Sequence, residues 1–206
     1  MTFQDITVRT CPGMGFIGQS SENVTLDHCV VQPAAGTRRF ISATADGCHF
    51  GGCTGDIVLR NCLFDGQGDD GINMKSGLFI NIEQIVDERT VLARHNLNMG
   101  CLPDAGDLME LMPQDTLLSY GTVKVQSAAM EADGHTHRVV LEGPLPKEVK
   151  VGDMLANATK LPRARISNCT FQRNRARGML IQIRDTVVEG CTFKDITSAG
   201  VLVIGR

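Results

Sequence analysis

A chain of 206 residues has room for one domain or two small ones, and its 42% hydrophobic share is that of an ordinary globular protein. A net charge of -3 argues against a nucleic-acid partner, which would need clustered Lys and Arg to neutralise phosphates. With no Trp and one tyrosine, Tyr120, a broad stacking platform for sugars or bases is also missing, while 22 glycines suit a turn-rich all-β fold.

The first 32 residues open a repeat. Five segments share an apolar, polar, polar, cysteine pattern: Val8 to Cys11, Leu26 to Cys29, Leu59 to Cys62, Ile166 to Cys169 and Val188 to Cys191. In all but the first, an apolar residue follows two places after the cysteine; there Gly13 stands instead. Self-similarity at short period means stacked supersecondary units. Each unit is too short for a strand, a helix and a return, and fits one coil of short strands. On this reading residues 1 to 32 hold an incomplete first coil and a full second one. Five of the eight cysteines share one repeat position, the mark of a small side chain stacked inside a solenoid rather than of a disulfide framework. Cys48, His49 and Cys53 alone resemble metal ligands, without the second pair that a zinc site needs.

Residues 33 to 39, PAAGTRR, read as a turn or projecting loop. Arg38 and Arg39 within it are either simply solvated or reach sugar hydroxyls or an anionic group at a cleft edge. Residues 40 to 79 then carry the acids. Nine residues after Cys62, Cys169 and Cys191 stand Gly71, Gly178 and Gly200, each before an apolar run, and Gly47 precedes Gly71 by about one coil. The residues before these glycines, Asp46, Asp70, Arg177 and Ala199, are therefore expected on neighbouring ladder positions, about 4.8 Å apart, with Asp69 beside them.

The rhythm is lost from residue 80 to 162. Alternating runs such as VKVQ (123 to 126) and RVVLE (138 to 142), with turn signals at Gly134, Pro144 and Pro146, predict a small antiparallel barrel or sandwich. Emerging just after the acids, such an insertion can wall a cleft. The coils resume over 163 to 206. The expected fold is thus all-β: a right-handed parallel β-helix over 1–79 and 163–206 with an inserted barrel-like domain. The chain stops in a strand-like run, VLVIGR, without the atypical cap that solenoids use, and so reads as a piece of a longer protein. Open solenoid ends invite pairing with another copy. No run approaches the roughly 20 apolar residues of a membrane span, and no signal peptide is visible.

Asp beside Gly commonly caps turns. Two such sites in register, one with a doubled acid, point instead to chemistry. Glycosidic hydrolysis takes two carboxyl groups, one to protonate the departing oxygen and one to activate water or attack the sugar carbon. Crowded acids raise the pKa of one so that it holds a proton, and a nearby arginine keeps its closest acid ionised. The same acids also suit Ca²⁺, with Arg177 removing a proton as in β-helical polysaccharide lyases.

The strings TADG (44 to 47) and GDDG (68 to 71) resemble the active-site signature of β-helical glycoside hydrolases, including the polygalacturonases of family 28. The longer strings RFISATADGCHFGGC (39 to 53), LFDGQGDDGIN (63 to 73) and NRARG (174 to 178) more closely resemble glycoside hydrolase family 110, the α-1,3-galactosidases that remove terminal galactose, including that of the blood group B antigen. That resemblance implies a carbohydrate substrate and inverting hydrolysis with no metal or cofactor. It implies Asp69 as general acid, with Asp46 and Asp70 holding the attacking water. Arg175 and Arg177, with Arg39 and Lys75, are the expected substrate-binding residues. It further implies a secreted or periplasmic parent protein. Two other readings stay open: a glycan-binding or adhesion module whose acids no longer catalyse, and a structural fragment that buries its ends against a second copy.

Overall fold

A computed structural model describes residues 1–76, 79–95 and 103–204. They divide into two compact units, Met1–Ser76 with Pro162–Gly205, and Gly77–Leu161.

The first unit is a solenoid of five coils, each contributing three short strands. The first coil holds β1 (Thr2–Gln4), β2 (Thr7–Val8) and β3 (Phe16–Gln19), and the second holds β4 (Glu22–Asp27), β5 (Val30–Val31) and β6 (Cys48–Gly51). The third is β7 (Thr54–Arg60), β8 (Leu63–Asp65) and β9 (Ile72–Lys75). After the six strands of the other unit, β10 (Phe79–Ile85), β11 (Thr90–His95), β12 (Leu108–Met112), β13 (Gly121–Met130), β14 (Thr136–Leu141) and β15 (Met154–Asn157), the coils resume. The fourth is β16 (Pro162–Ser167), β17 (Thr170–Gln172) and β18 (Met179–Gln182); the fifth is β19 (Asp185–Glu189), β20 (Thr192–Lys194) and β21 (Val201–Val203). First strands pair in parallel with first strands, second with second and third with third, giving three five-stranded sheets in coil order. Of the terminal run VLVIGR, the last two residues lie outside the described residues.

The repeat cysteine has a physical role at the first corner. Cys29, Cys62, Cys169 and Cys191 each follow a residue in the left-handed region, His28 (φ 51°), Asn61 (57°), Asn168 (53°) and Gly190 (61°). Asn and Gly tolerate that conformation. The turn leaves a carbonyl at the end of each first strand, and the thiol donates back to it: to Asp27 at 3.6 Å, Arg60 at 3.2 Å, Ser167 at 3.3 Å and Glu189 at 3.4 Å. The seven described cysteines are free thiols, and Cys101 lies outside the described residues.

Cys11 is a correction to the repeat as read from sequence. Val8 pairs with Val31, so the residue matching Cys29 in the first coil is Ile6, preceded by Asp5 at φ 55°. Cys11 instead bridges Ala43, which bridges Gln67, at the next corner. The full second coil therefore runs from Glu22 to Gly51, and residues 33–39 bulge out within it rather than between coils. Inside the solenoid, Phe64, Phe171 and Phe193 stack with centroids 5.2 Å apart and planes 10° and 12° from parallel, filling the core with Leu26, Leu59, Ile166, Ile72 and Met74.

The second unit is a closed antiparallel barrel in the order β10-β11-β14-β13-β12-β15. Exchanging β10, β11 and β12 with β13, β14 and β15 maps this order onto itself, so the barrel is two matching halves. Local chemistry repeats too. Gly106 (φ 91°) donates to Val125 O while Val125 N–H donates to Asp107 O; Gly152 (φ 96°) and Asp153 make the same exchange with Ile82. The alternating runs around 123–126 and 138–142 lie in β13 and β14, with Val123, Val125, Val139 and Leu141 turned into the barrel core. Among the described residues, no helix is long and apolar enough to cross a membrane.

Candidate active site

The acids sit at the third corner, where the chain turns into β3, β6, β9, β18 and β21. Gly15 N–H donates to Asp46 O at 3.0 Å, Gly47 to Asp70 O at 2.8 Å, Gly71 to Arg177 O at 2.9 Å and Gly178 to Ala199 O at 3.0 Å. Asp46, Asp70, Arg177 and Ala199 thus occupy consecutive rungs. Glycine is required after Asp46, Asp70 and Arg177 because the coils approach too closely for a side chain: a Cβ on Gly47 would lie 2.6 Å from Gly71 O and 2.7 Å from the Phe64 ring. Asp69 takes the preceding position, its N–H on Ala45 O and its carbonyl accepting from Ala176.

The three carboxyl groups have different surroundings. Asp46 is buried; its Oδ1 accepts from Asp70 N–H at 3.2 Å and its Oδ2 lies 2.7 Å from His49 Nδ1. Asp70 is wholly buried and clasped by Arg177, whose Nε and backbone N–H meet Oδ1 at 2.6 and 3.1 Å while its terminal nitrogen meets Oδ2 at 2.9 Å. Asp69 is half exposed, and its nearest cation is Arg177 at 3.7 Å. One oxygen from each acid lies within 4.8 Å of the others. Two carboxylate oxygens that far apart can share one water, since O–H···O bonds run to about 2.8 Å each.

Burial raises the Asp70 carboxyl above its ordinary value, against the pull of the Arg177 hydrogen bonds, whereas Arg177 is held more firmly protonated by the same carboxylate. Three short donors on one carboxylate oppose that rise and favour its charged form, so Asp70 is the acid of the cluster best placed to act as a carboxylate. Arg177, kept protonated and facing Asp70, is no base, which removes the lyase reading.

The other expected residues divide. Arg175 is exposed, and its guanidinium donates to Gly68 O while its N–H donates to Gln67 O at 2.9 Å, holding the backbone just before the doubled acid. Lys75 is partly buried at the end of β9, and among the described residues it makes no ion pair. Arg38 and Arg39 are exposed, and no described hydrogen bond or ion pair joins either to the acids. Cys48 and His49 alternate along β6: Cys48 lies in the core and His49 is tied to Asp46, so the two cannot share an ion. His49 is the member of the cluster that residue type alone missed. It stands three places after Asp46, as Asn73 stands three after Asp70, and their backbones pair in register. The phase that aligned the acids aligned these two as well.

No family model matches the chain. It is 31% identical over 189 residues to an α-1,3-galactosidase A of Shewanella woodyi, covering 90% of this chain and 31% of that protein. Against an α-1,3-galactosidase A of Bacteroides thetaiotaomicron the identity is 34% over 194 residues, covering 92% of this chain and 34% of the relative. An α-1,3-galactosidase B of Akkermansia muciniphila is 30% identical over 210 residues, 99% of this chain and 26% of that protein. The chain spans about a third of the length of the curated relatives it matches, or less. Over nearly all its own length, this chain is similar to part of the α-1,3-galactosidases.

Proposed function

We propose that this chain carries the reaction centre of a glycoside hydrolase that releases terminal α-1,3-linked galactose with inversion. The observation that carries the hydrolase reading is three acids within 4.8 Å, one of them clasped by an arginine and one half exposed; inversion rests on the resemblance to family 110, not on this spacing. Asp69, the accessible acid, gives its proton to the departing glycosidic oxygen as the C–O bond breaks. A water held between Asp46 and Asp70 attacks the sugar carbon from the opposite face and yields its proton to the ionised carboxylate. Arg177 fixes the orientation of that carboxylate. The galactosidase names of the relatives support the sugar and linkage, and the glycan is the partner the site takes.

The test is proton NMR of a galactose-α-1,3-galactose disaccharide with the protein. Release of β-galactose first is the expected result; α-galactose released first would refute inversion, and no cleavage at high protein concentration would refute the activity for this chain.

A further inference from the structure

The outward face of the third sheet carries two buried polar side chains with unused bonding capacity. Cys48 and Phe50 of β6, like Ile72 and Met74 of β9, are core residues, so strand alternation turns His49 and Asn73 to the opposite face. Both are nonetheless buried, at 6% and 7% exposure. His49 Nδ1 is engaged by Asp46 Oδ2 at 2.7 Å, which fixes the ring. His49 Nε2 and Asn73 Oδ1 have no hydrogen-bond partner among the described residues. The same ladder position is apolar in the flanking coils, Ile17 before and Leu180 after, so the polar pair belongs to the two acid-bearing coils alone.

We propose that His49 and Asn73 are the hydroxyl-recognising pair of the sugar site. The assignment rests on the hydrolase reading above. Asp46 Oδ2 accepts from the ring when Nδ1 carries the imidazole hydrogen, and in that tautomer Nε2 is an acceptor on the same sheet face as the Asn73 carbonyl oxygen. Two neighbouring acceptors demand donors, and sugar hydroxyls are donors. His49 thereby links recognition to chemistry: the ring that receives the hydroxyl also orients Asp46.

The test combines imidazole ¹⁵N NMR of the whole chain with galactose titrations of three variants. Galactose is expected to move the His49 Nε2 resonance. His49→Asn, whose amide reproduces Nδ1 but not Nε2, is expected to weaken galactose at least tenfold; His49→Gln, whose longer side chain can offer its Oε1 acceptor near the Nε2 position, weakens it less. Asn73→Leu, the residue type that the ladder already accepts at 180, is expected to lose at least tenfold with its thermal unfolding unchanged. Cleavage with an unmoved Nε2 resonance, or a less than twofold effect of Asn73→Leu, would overturn the assignment and leave the hydrolase reading intact. An unmodified chain that neither binds nor cleaves would overturn both.

Discussion

Arg177 reaches back from the fourth coil to the acid of the third, and its removal separates electrostatics from packing. Without it Asp70 would stay wholly buried with its strongest donors gone, the situation in which breaking a buried pair costs about 3 kcal/mol. Arg177 is itself 28% exposed, which places the cost at the lower end of that range. The sign with pH follows from the raised Asp70 pKa. In the window between its unfolded value and its higher folded value the folded state binds more protons, so stability falls as pH rises. Arg177→Gln removes the lowering influence and widens that window. Equilibrium unfolding should therefore find the variant close to the parent near pH 3 and progressively worse towards pH 7; a deficit independent of pH would mean the guanidinium acts by packing alone. At Asp69 a different outcome is expected. Asp69→Asn removes the proton donor from a half-exposed position, so turnover should fall by at least two orders of magnitude with the melting temperature within about 2 °C of the parent. Retained turnover would reassign the acid.

The third sheet depends on glycine because its coils stack at backbone contact. A Cβ on Gly71 would meet Gly178 O and the Phe171 ring, both at 2.6 Å, and neither a rung carbonyl nor a stacked ring can retreat. Gly71→Ala should cost about 1–3 kcal/mol, whereas Gly13→Ala, with nothing within 4 Å of its Cβ, should change denaturant midpoints little; equal effects would disprove the close-stacking account. A reductant should leave the melting curve unmoved, since the described cysteines are free thiols. These constraints explain what the sequence disclosed. Gly47 and Gly71 announced the phase because no other residue fits, and that phase brought Asp46, Asp70 and Arg177 together. Cys11 misled because Val8-Arg9-Thr10-Cys11 imitates the repeat, while its place is decided by β2 pairing with β5, a long-range choice the local pattern does not contain. His49 was hidden for another reason: its hydrogen bond to Asp46 depends on which side of β6 each residue faces, and the neighbouring Cys48 suggested metal chemistry instead.

For the whole molecule, the register shows what the barrel replaces. Lys75 pairs with Gln182 and Arg163 with Asp185, and between Gln182 and Asp185 lie Ile183 and Arg184 alone. Replacing everything from Ser76 to Pro162 by Ile-Arg should therefore leave a solenoid that folds, with β circular dichroism and one cooperative melt; a molten product would show that the coils need the barrel. The barrel's first and last strands are neighbours, Phe79 paired with Ala156, so once closed it returns the chain close to where it received it. The consequence is one of folding order. While the barrel segment is unfolded, docking the fourth coil on the third must close a loop of some eighty residues, at an entropic cost of about 4 kcal/mol. A closed barrel removes most of that cost, so the coil that delivers Arg177 docks late, after the barrel has formed. Asp69 and Asp70, which both face Arg177, then acquire their counter-ion late in refolding, and Leu155→Ala, which weakens the barrel core far along the chain from the acids, should slow the appearance of the assembled cluster.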